Sequence, residues 1–193
     1  MGAMRSFFMG WVRLRPFFIF RKGHSMQKKI HRTVNAAIIA ALYILMTHMQ
    51  NFLLPGSASM AIQFRASEAL CILAFFTPAA IYGLAVGCML FNLTSGLALP
   101  LDFLLGTMAT LMATWVMWKT RRISIKGYPL LGLLMPAITN AVLVGWELSI
   151  YIGGAFWINA LYVAIGEAAV LLTLGSALYY ALKTRNLHTK LFA

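Results

Sequence analysis

The sequence is poor in acidic residues. Only four Asp or Glu occur among 193 residues, against sixteen Lys or Arg. Each of the four lies in or beside an apolar run, where an ionisable group costs at least about 2.5–3.5 kcal/mol unless it is paired or hydrated. The acids therefore mark the positions where a polar site is expected. They are Glu68, Asp102, Glu147 and Glu167.

Several chemical signatures are also absent. The sequence has no GxxxxGKS/T phosphate loop, which excludes ATP hydrolysis by that route. Its four histidines are scattered, and Cys71 and Cys88 fall inside apolar runs, so no metal-ligand spacing is formed. We interpret both cysteines as small apolar residues. Because no Ser-His-Asp or Cys-His arrangement is evident either, we expect a protein that is not an enzyme and has no cofactor or metal.

Charged residues are scarce, and apolar ones dominate. The sequence is 61% hydrophobic and 10% charged, with a mean hydropathy of +0.80, which indicates that lipid surrounds most of the chain. The net charge of +12 is concentrated in clusters: eight basic residues precede Thr33, four lie in 119–126 and three follow Leu182. Such clusters are typical of the cytoplasmic ends and loops of membrane proteins and do not favour nucleic-acid binding.

The first residues differ from the rest. Residues 1–27 are basic and aromatic, and their apolar stretch is interrupted by Arg13 and Arg15 and is too short to span a bilayer. We predict a leader, either interfacial or not native to the working protein, without a functional role. Residues 28–193 are predicted to form one membrane domain that binds a substrate.

Hydropathy predicts an all-α integral membrane protein, a bundle of six transmembrane helices. The predicted helices cover roughly residues 34–54, 68–82, 83–98, 103–118, 130–151 and 155–182, with a break at Tyr82-Gly83. If both termini and the basic 119–126 loop are cytoplasmic, the crossings between them must be even in number. Four and then two crossings satisfy this rule, although two crossings before residue 119 would also do so.

In this topology the acids converge on one end of the bundle. Glu68, Asp102 and Glu147 lie near the outer ends of their helices with Arg65 beside them, and Glu167 lies deeper. The pattern predicts a hydrated polar pocket that is open to the outside. Two local explanations stay open: Arg65 and Glu68 are spaced for an i,i+3 pair, and Glu68 and Asp102 would be favourable at helix N-termini.

Groups suited to a flat ligand surround the predicted pocket. Asn140 lies on the same helix face as Glu147, seven residues earlier, while Phe156, Trp157 and Asn159 open the sixth helix. Aromatic rings stack on planar ligands, and a carboxylate accepts two N–H donors at once. The alternative for the aromatic residues is an ordinary interfacial belt.

The first helix carries small residues at a spacing of four. Ala36 and Ala40 form one such pair, and Ala37 and Ala41 form another. Small residues at this spacing let a second helix approach closely, either within the bundle or from a partner.

Several sequence blocks in order resemble the queuosine-precursor transporter (QueT) family, whose members are substrate-binding S components of energy-coupling factor (ECF) transporters. The blocks are QFRASEAL, FFTPAAIYGLAVGCMLFN, LDFLLGTMATLMA, NAVLVGWEL and FWINALYVAIGEAAV. The resemblance covers about residues 28–183.

The resemblance implies a six-helix bundle with cytoplasmic termini and a binding site near the extracellular side. It also implies a transmembrane coupling subunit and two cytosolic ATPases as partners, docked through one of the two alanine pairs. The implied ligand is a 7-deazaguanine: the nitrile or aminomethyl precursor, queuine or a related nucleoside.

These expectations combine into a hypothesis for binding. Glu147 or Glu68 would accept the N–H donors of the guanine-like edge, and a second acid would balance an amine on the ligand. Asn140 and Asn159 would give directional hydrogen bonds, and Phe156 or Trp157 would stack on the ring. The alternatives are an S component for another vitamin-like ligand, a membrane-embedded enzyme or a structural subunit.

Overall fold

The structure is a computed structural model that describes residues 19–57, 64–96, 98–125 and 127–187, with side chains from Met26 onward. Its contacts divide the chain into Met1–Val34 and Asn35–Ala193. In the first unit, the described residues form the beginning of a helix. Residues 1–18 of the predicted leader lie outside the described residues, so the division at residue 27 stays a prediction. All contacts discussed below lie within the second unit.

The described chain is all-α, as predicted. Its α-helices are α1 (Ile19–Leu53), α2 (Ala79–Thr94), α3 (Asp102–Thr120), α4 (Leu130–Leu133), α5 (Met135–Tyr151), α6 (Phe156–Val170) and α7 (Ser176–Thr184). A 3-10 helix, Ala66–Phe75, precedes α2, and a π-helical turn, Leu171–Gly175, joins α6 to α7. A single β-bridge between Ile125 and Tyr128 closes the turn after α3.

Three stretches of the described chain are long and apolar enough to cross a membrane: Met26–Leu53, Leu130–Tyr151 and Phe156–Thr184. The last two match the predicted spans closely, and α3 extends the predicted 103–118 helix by one or two residues at each end. The first helix begins earlier than residue 34, because the basic residues of its N-terminal part are compatible with helical geometry outside the apolar run.

The predicted break at Tyr82-Gly83 is wrong. Gly83 lies inside α2, and the interruption comes earlier, between Phe75 and Ala79. Pro78 lies directly before α2, where its fixed φ and missing N–H are tolerated at a helix start. The expected helices 68–82 and 83–98 are therefore a ten-residue 3-10 helix and a sixteen-residue α-helix.

The 3-10 helix Ala66–Phe75 lies in the centre of the bundle, and all its residues from Ser67 to Phe75 are buried. It packs against α2, α3, α6, α7 and the π-helical turn. At about 2.0 Å per residue, it advances farther than an α-helix of the same length. This central element carries Glu68, so the first acid of the sequence is placed in the protein interior.

Small residues set the contact between α1 and α2. A Cβ added at Gly83 would lie 2.6 Å from the Ala36 carbonyl oxygen, and one added at Gly87 would lie 2.9 Å from Tyr43 Cβ. Gly87 also faces Ala40. The Ala36/Ala40 pair is thus occupied by α2, whereas Ala37 and Ala41 are exposed on the other side of α1.

The outer faces of the helices are apolar. On α1 the exposed side chains recur every three or four residues, and α3 exposes a similar set. Such surfaces suit a lipid environment, because apolar side chains that face lipid do not pay the free-energy cost of contact with water. The exposed residues on these two faces include Ile38, Leu42, Leu45 and Met49 of α1, and Leu104, Met108, Leu111, Met112 and Trp115 of α3.

Candidate functional site

The carboxylate of Glu68 lies at the centre of a buried hydrogen-bond network. Tyr43 Oη donates to Glu68 Oε1 over 2.6 Å, and Cys71 Sγ donates to Oε2 over 3.1 Å. Each oxygen of this fully buried carboxylate thus has a donor. Because a satisfied buried group holds its neighbours in one geometry, Glu68 is well placed to fix the central helix against α1.

Two further contacts fix the start of the central helix against α1. Thr47 Oγ1 donates to Ser67 Oγ over 2.7 Å, and Gln50 Oε1 accepts the Ala66 backbone N–H over 2.7 Å. Gln50 also donates to the Phe64 carbonyl oxygen. Gln50 satisfies the Ala66 N–H, one of the backbone donors at a helix N-terminus that have no partner inside the helix.

Arg65 is the cation of the site and is almost fully buried, with 3% of its surface exposed. Its Nη1 contacts Cys88 Sγ at 3.9 Å, and its guanidinium lies 5.8 Å from the centre of the Phe91 ring. It is also within electrostatic reach of Glu68 and Glu167. We call Arg65 with Glu68, Asp102, Glu147 and Glu167 the carboxylate cluster.

Asn140 and Glu167 meet across α5 and α6. Asn140 Nδ2 donates to Glu167 Oε1 over 3.1 Å, and both side chains are buried. Glu167 Oε2 has no hydrogen-bond partner among the described residues. The pair presents an unfilled carboxylate oxygen beside an amide group, which offers both acceptor and donor capacity to a ligand.

Asp102 and Glu147 meet across α3 and α5. Asp102 Oδ2 accepts the Leu99 backbone N–H over 2.8 Å, and the Asp102 carbonyl oxygen accepts from Asn92 Nδ2 over 2.8 Å. Glu147 is within electrostatic reach of Asp102 and Arg65. It is fully buried, and its carboxyl group lies close enough to the Asp102 carboxyl group and the Leu101 backbone to interact with both.

The remaining predicted site residues lie apart from the acids in their described contacts. Trp157 is 79% exposed, and its ring meets Phe156 edge-on with centroids 4.9 Å apart. Asn159 is buried and donates to the Gly153 carbonyl oxygen over 3.0 Å. Gly153 has φ +88°, so Asn159 stabilises the left-handed turn between α5 and α6.

Asp102 adjoins Glu147, and Glu68 adjoins Glu167, but these acids do not line the open, hydrated pocket that the sequence predicts. Glu68, Glu147 and Glu167 are 0% exposed and Asp102 is 4% exposed, so water-sized space does not reach the carboxylates. A groove of about 460 Å³ lies elsewhere, between the C-terminal end of α1 and the α6 end. Its walls are Gln50, Leu54, Phe64, Ala66, Ala169, Val170, Thr173 and Leu174.

Sequence reasoning missed Tyr43, Asn92 and the polar role of both cysteines. Cys71 donates to Glu68, and Cys88 contacts both Arg65 and Asn92. The signal for Asn92 was available, because an amide in an apolar membrane helix usually has a polar partner. Tyr43 gave no comparable signal, since tyrosine is common in membrane helices.

One comparison with known proteins, a family model, covers this whole site. The model of the QueT transporter family matches residues 33–184, which include every residue of the carboxylate cluster. The "Queuosine precursor transporter QueT" of Lactococcus lactis subsp. cremoris is 35% identical over 89 residues, or 45% of this chain and 48% of that protein. The aligned part thus spans about half the length of that relative. No solved structure matches the chain.

The family match extends over most of the chain and agrees with the observed fold. Three long apolar helices and further shorter ones, together with membership of a transporter family, indicate a multi-pass membrane protein. The chain therefore belongs to the QueT transporter family.

Proposed function

We propose that the protein is the substrate-binding S component of an ECF-type importer. It captures a queuosine precursor or a related 7-deazaguanine at the extracellular side and releases it to the cytoplasm when partner ATPases hydrolyse ATP. Support comes from the family membership and from the name of the Lactococcus relative. The sequence contains no phosphate loop of its own, which agrees with an external ATPase module.

The Asn140–Glu167 pair is the observation that carries the substrate class. A guanine-like edge presents two N–H donors beside a carbonyl acceptor. Glu167 offers an unfilled carboxylate oxygen, and Asn140 offers an amide N–H 3.1 Å from the other oxygen. The pair therefore complements the edge in both donor and acceptor character, and charge-assisted hydrogen bonds give it strength. Glu68, by contrast, already holds two donors and serves to fix the central helix.

Ligand binding at this pair requires packed elements to separate, because the carboxylates are fully buried. Phe156 and Trp157, at the start of α6, are proposed to meet the planar ring at the outer surface first. Asn159 would act indirectly by holding the turn that carries them.

The docking surface for the coupling subunit is proposed to be the Ala37/Ala41 pair. Ala36 and Ala40 face Gly83 and Gly87 within the bundle, whereas Ala37 and Ala41 are exposed. Small exposed residues allow the close helix approach that membrane partners need. In vesicles, uptake of a deazaguanine is expected only when the coupling subunit, both ATPases and ATP are present. Uptake by the chain alone would contradict this assignment.

The substrate proposal is tested by binding to the purified protein in detergent. The panel contains 7-aminomethyl-7-deazaguanine, 7-cyano-7-deazaguanine, guanine and unrelated vitamins. A deazaguanine at 100 times its Kd is expected to add about 2.7 kcal/mol to stability, seen as a higher unfolding temperature. Stabilisation by a vitamin alone would instead favour an S component of different specificity.

The role of the pair is tested with Glu167→Gln. The isosteric amide removes the charge and one acceptor, so affinity for both deazaguanines is expected to fall at least about tenfold, a loss of ~1.4 kcal/mol. Thr107→Val, on α3, serves as the control that should leave affinity unchanged. Unaltered calorimetric affinity in a folded Glu167→Gln protein would remove Glu167 from the site.

A further inference from the structure

One exposed face of α3 changes from apolar to basic at the C-terminal end of the helix. Side chains three or four residues apart lie on the same face of a helix, and exposed residues follow one another at this spacing here. The resulting surface, called the α3 stripe, consists of Met108, Leu111, Met112, Trp115 and Lys119, followed by Arg122 just after the helix. It presents hydrocarbon over most of its length and two positive charges at one end.

The α3 stripe has the length of one membrane leaflet. From Met108 to Lys119 the helix advances by about 16 Å, at 1.5 Å per residue. The hydrocarbon core of a bilayer is about 30 Å thick, so each leaflet contributes about 15 Å. An acyl chain that lies along the apolar part of the stripe would therefore bring its headgroup to the level of Lys119.

Tryptophan rings hold the basic side chains at this level. Lys119 Nζ lies 5.5 Å from the centre of the Trp115 ring, and the Arg121 guanidinium lies 3.5 Å from the centre of the Trp118 ring. Tryptophan is enriched at the headgroup level of membranes, because its ring is apolar and its N–H is polar. The two rings thus place the cations where the phosphate groups of lipids lie.

The basic residues at this end of α3 have different roles. Arg121 serves the helix itself, since its Nη1 donates over 2.9 Å to the Trp118 carbonyl oxygen, one of the last carbonyl groups of α3. Lys119 and Arg122 are exposed to the surroundings. An ammonium has three N–H donors and a guanidinium has five, and a guanidinium can bind a phosphate group through two parallel hydrogen bonds.

No side-chain carboxylate of the chain is available to these two cations. All four acids of the sequence belong to the carboxylate cluster, where they are only 0–4% exposed. The counter-ions of the exposed basic residues must therefore come from outside the chain. Anionic headgroups at a membrane surface match them in charge, and the apolar part of the stripe matches the acyl chains of the same molecule.

We propose that the α3 stripe binds one anionic phospholipid. Its acyl chains lie along the surface from Met108 to Trp115, and its phosphate group accepts hydrogen bonds from Lys119 and Arg122. In the proposed orientation this lipid belongs to the cytoplasmic leaflet. Because α3 begins at Asp102, a lipid held at the opposite end fixes the depth of the helix in the membrane without touching the carboxylate cluster.

The test measures stabilisation of the purified protein by lipid in a neutral detergent. Dioleoylphosphatidylglycerol is expected to raise the unfolding temperature. Dioleoylphosphatidylcholine, which has the same acyl chains but no net charge, should need at least about a tenfold higher concentration for the same rise. Arg122→Gln removes one charge and the guanidinium donors, so the half-maximal concentration of phosphatidylglycerol should increase at least about fivefold.

Arg185→Gln is the matched control. Arg185 is exposed directly after α7, so this mutation removes the same charge away from the α3 stripe. It should change the half-maximal concentration of phosphatidylglycerol less than about twofold, because a contact with the phosphate group is local, whereas attraction to a charged surface is not. If Arg122→Gln folds poorly, Lys119→Gln makes the same comparison.

Four outcomes would overturn the lipid site. Equal losses in Arg122→Gln and Arg185→Gln would show diffuse attraction by the whole basic end, and equal stabilisation by the two lipids would show that charge is not recognised. Stabilisation by glycerol 1-phosphate at the same concentrations would assign the cations to a free phosphate. An Arg122→Gln protein that responds normally to lipid but loses ATP-driven uptake with its partners would assign them to an acidic partner surface.

Discussion

At the scale of single residues, Glu68 is an acid whose two carboxylate oxygens both accept hydrogen bonds from side chains of the protein. Tyr43→Phe would remove the donor to Oε1 and leave that oxygen buried without a partner. We expect the mutant to lose about 1–3 kcal/mol of stability. The measurement is the unfolding midpoint in a denaturing-detergent titration.

Tyr82→Phe is the matched control for this mutation, because Tyr82 is 67% exposed and loses the same hydroxyl at the surface. Its midpoint should stay close to that of the unaltered protein. If both mutants lost the same stability, the Tyr43–Glu68 contact would have no special role.

The acids of the site were predictable from the sequence, but their partners were not. Glu147 and Glu167 were identified because a charge inside an apolar run is rare and needs a partner or a function. The donor to Glu68, however, lies 25 residues away on another helix, and the partner of Glu167 lies 27 residues away. Residue type and helical spacing do not specify such contacts, which depend on how the helices are arranged in the bundle.

At the scale of helices, the contact between α1 and α2 depends on two glycines. Gly83→Ala would place a Cβ 2.6 Å from the Ala36 carbonyl oxygen, and backbone atoms there have little freedom to move. We expect a loss of about 1–3 kcal/mol from overpacking. The unfolding temperature in detergent measures it, and a temperature equal to that of the unaltered protein would show that the two helices are free to separate.

Gly96→Ala provides the control for this prediction. A Cβ at Gly96 meets no atom within 4 Å, so the same change in composition is made without a clash. Its unfolding temperature should match that of the unaltered protein within the error of the measurement.

The same glycine explains why one helix boundary was predicted wrongly. Glycine weakens an isolated helix, so Gly83 in a long apolar run was interpreted as the break. In the bundle its missing side chain instead permits close contact with α1, and that packing outweighs intrinsic propensity. Pro78, which does mark the start of α2, was the more reliable signal because its effect on the backbone is covalent.

At the scale of the whole molecule, the arrangement across the membrane can be tested with single added cysteines. Ser124 and Ala155 are both exposed and lie on either side of the Leu130–Tyr151 span. We expect Ser124→Cys to react with an impermeant maleimide only from the cytoplasmic side, and Ala155→Cys only from outside. Labelling of both from the same side would contradict the proposed orientation.

Composition was sufficient to predict the fold class, since hydropathy and basic clusters reflect the lipid environment directly. The closed state of the carboxylate cluster was not predictable, because it depends on how tightly the central 3-10 helix packs against its neighbours. Ser67 to Phe75 are all buried there, the polar Ser67 and Glu68 included, and the apolar run that follows Glu68 has no periodic pattern that would indicate such burial.

The burial of both native thiols has a practical consequence. Cys71 and Cys88 are the chain's only cysteines, and each is 0% exposed. Thiol reagents should therefore meet no reactive group on the folded protein, and a fluorophore or spin label can be attached at a chosen position without first replacing natural residues. Pairs of such probes would report distances across the bundle while the polar contacts of both cysteines stay intact.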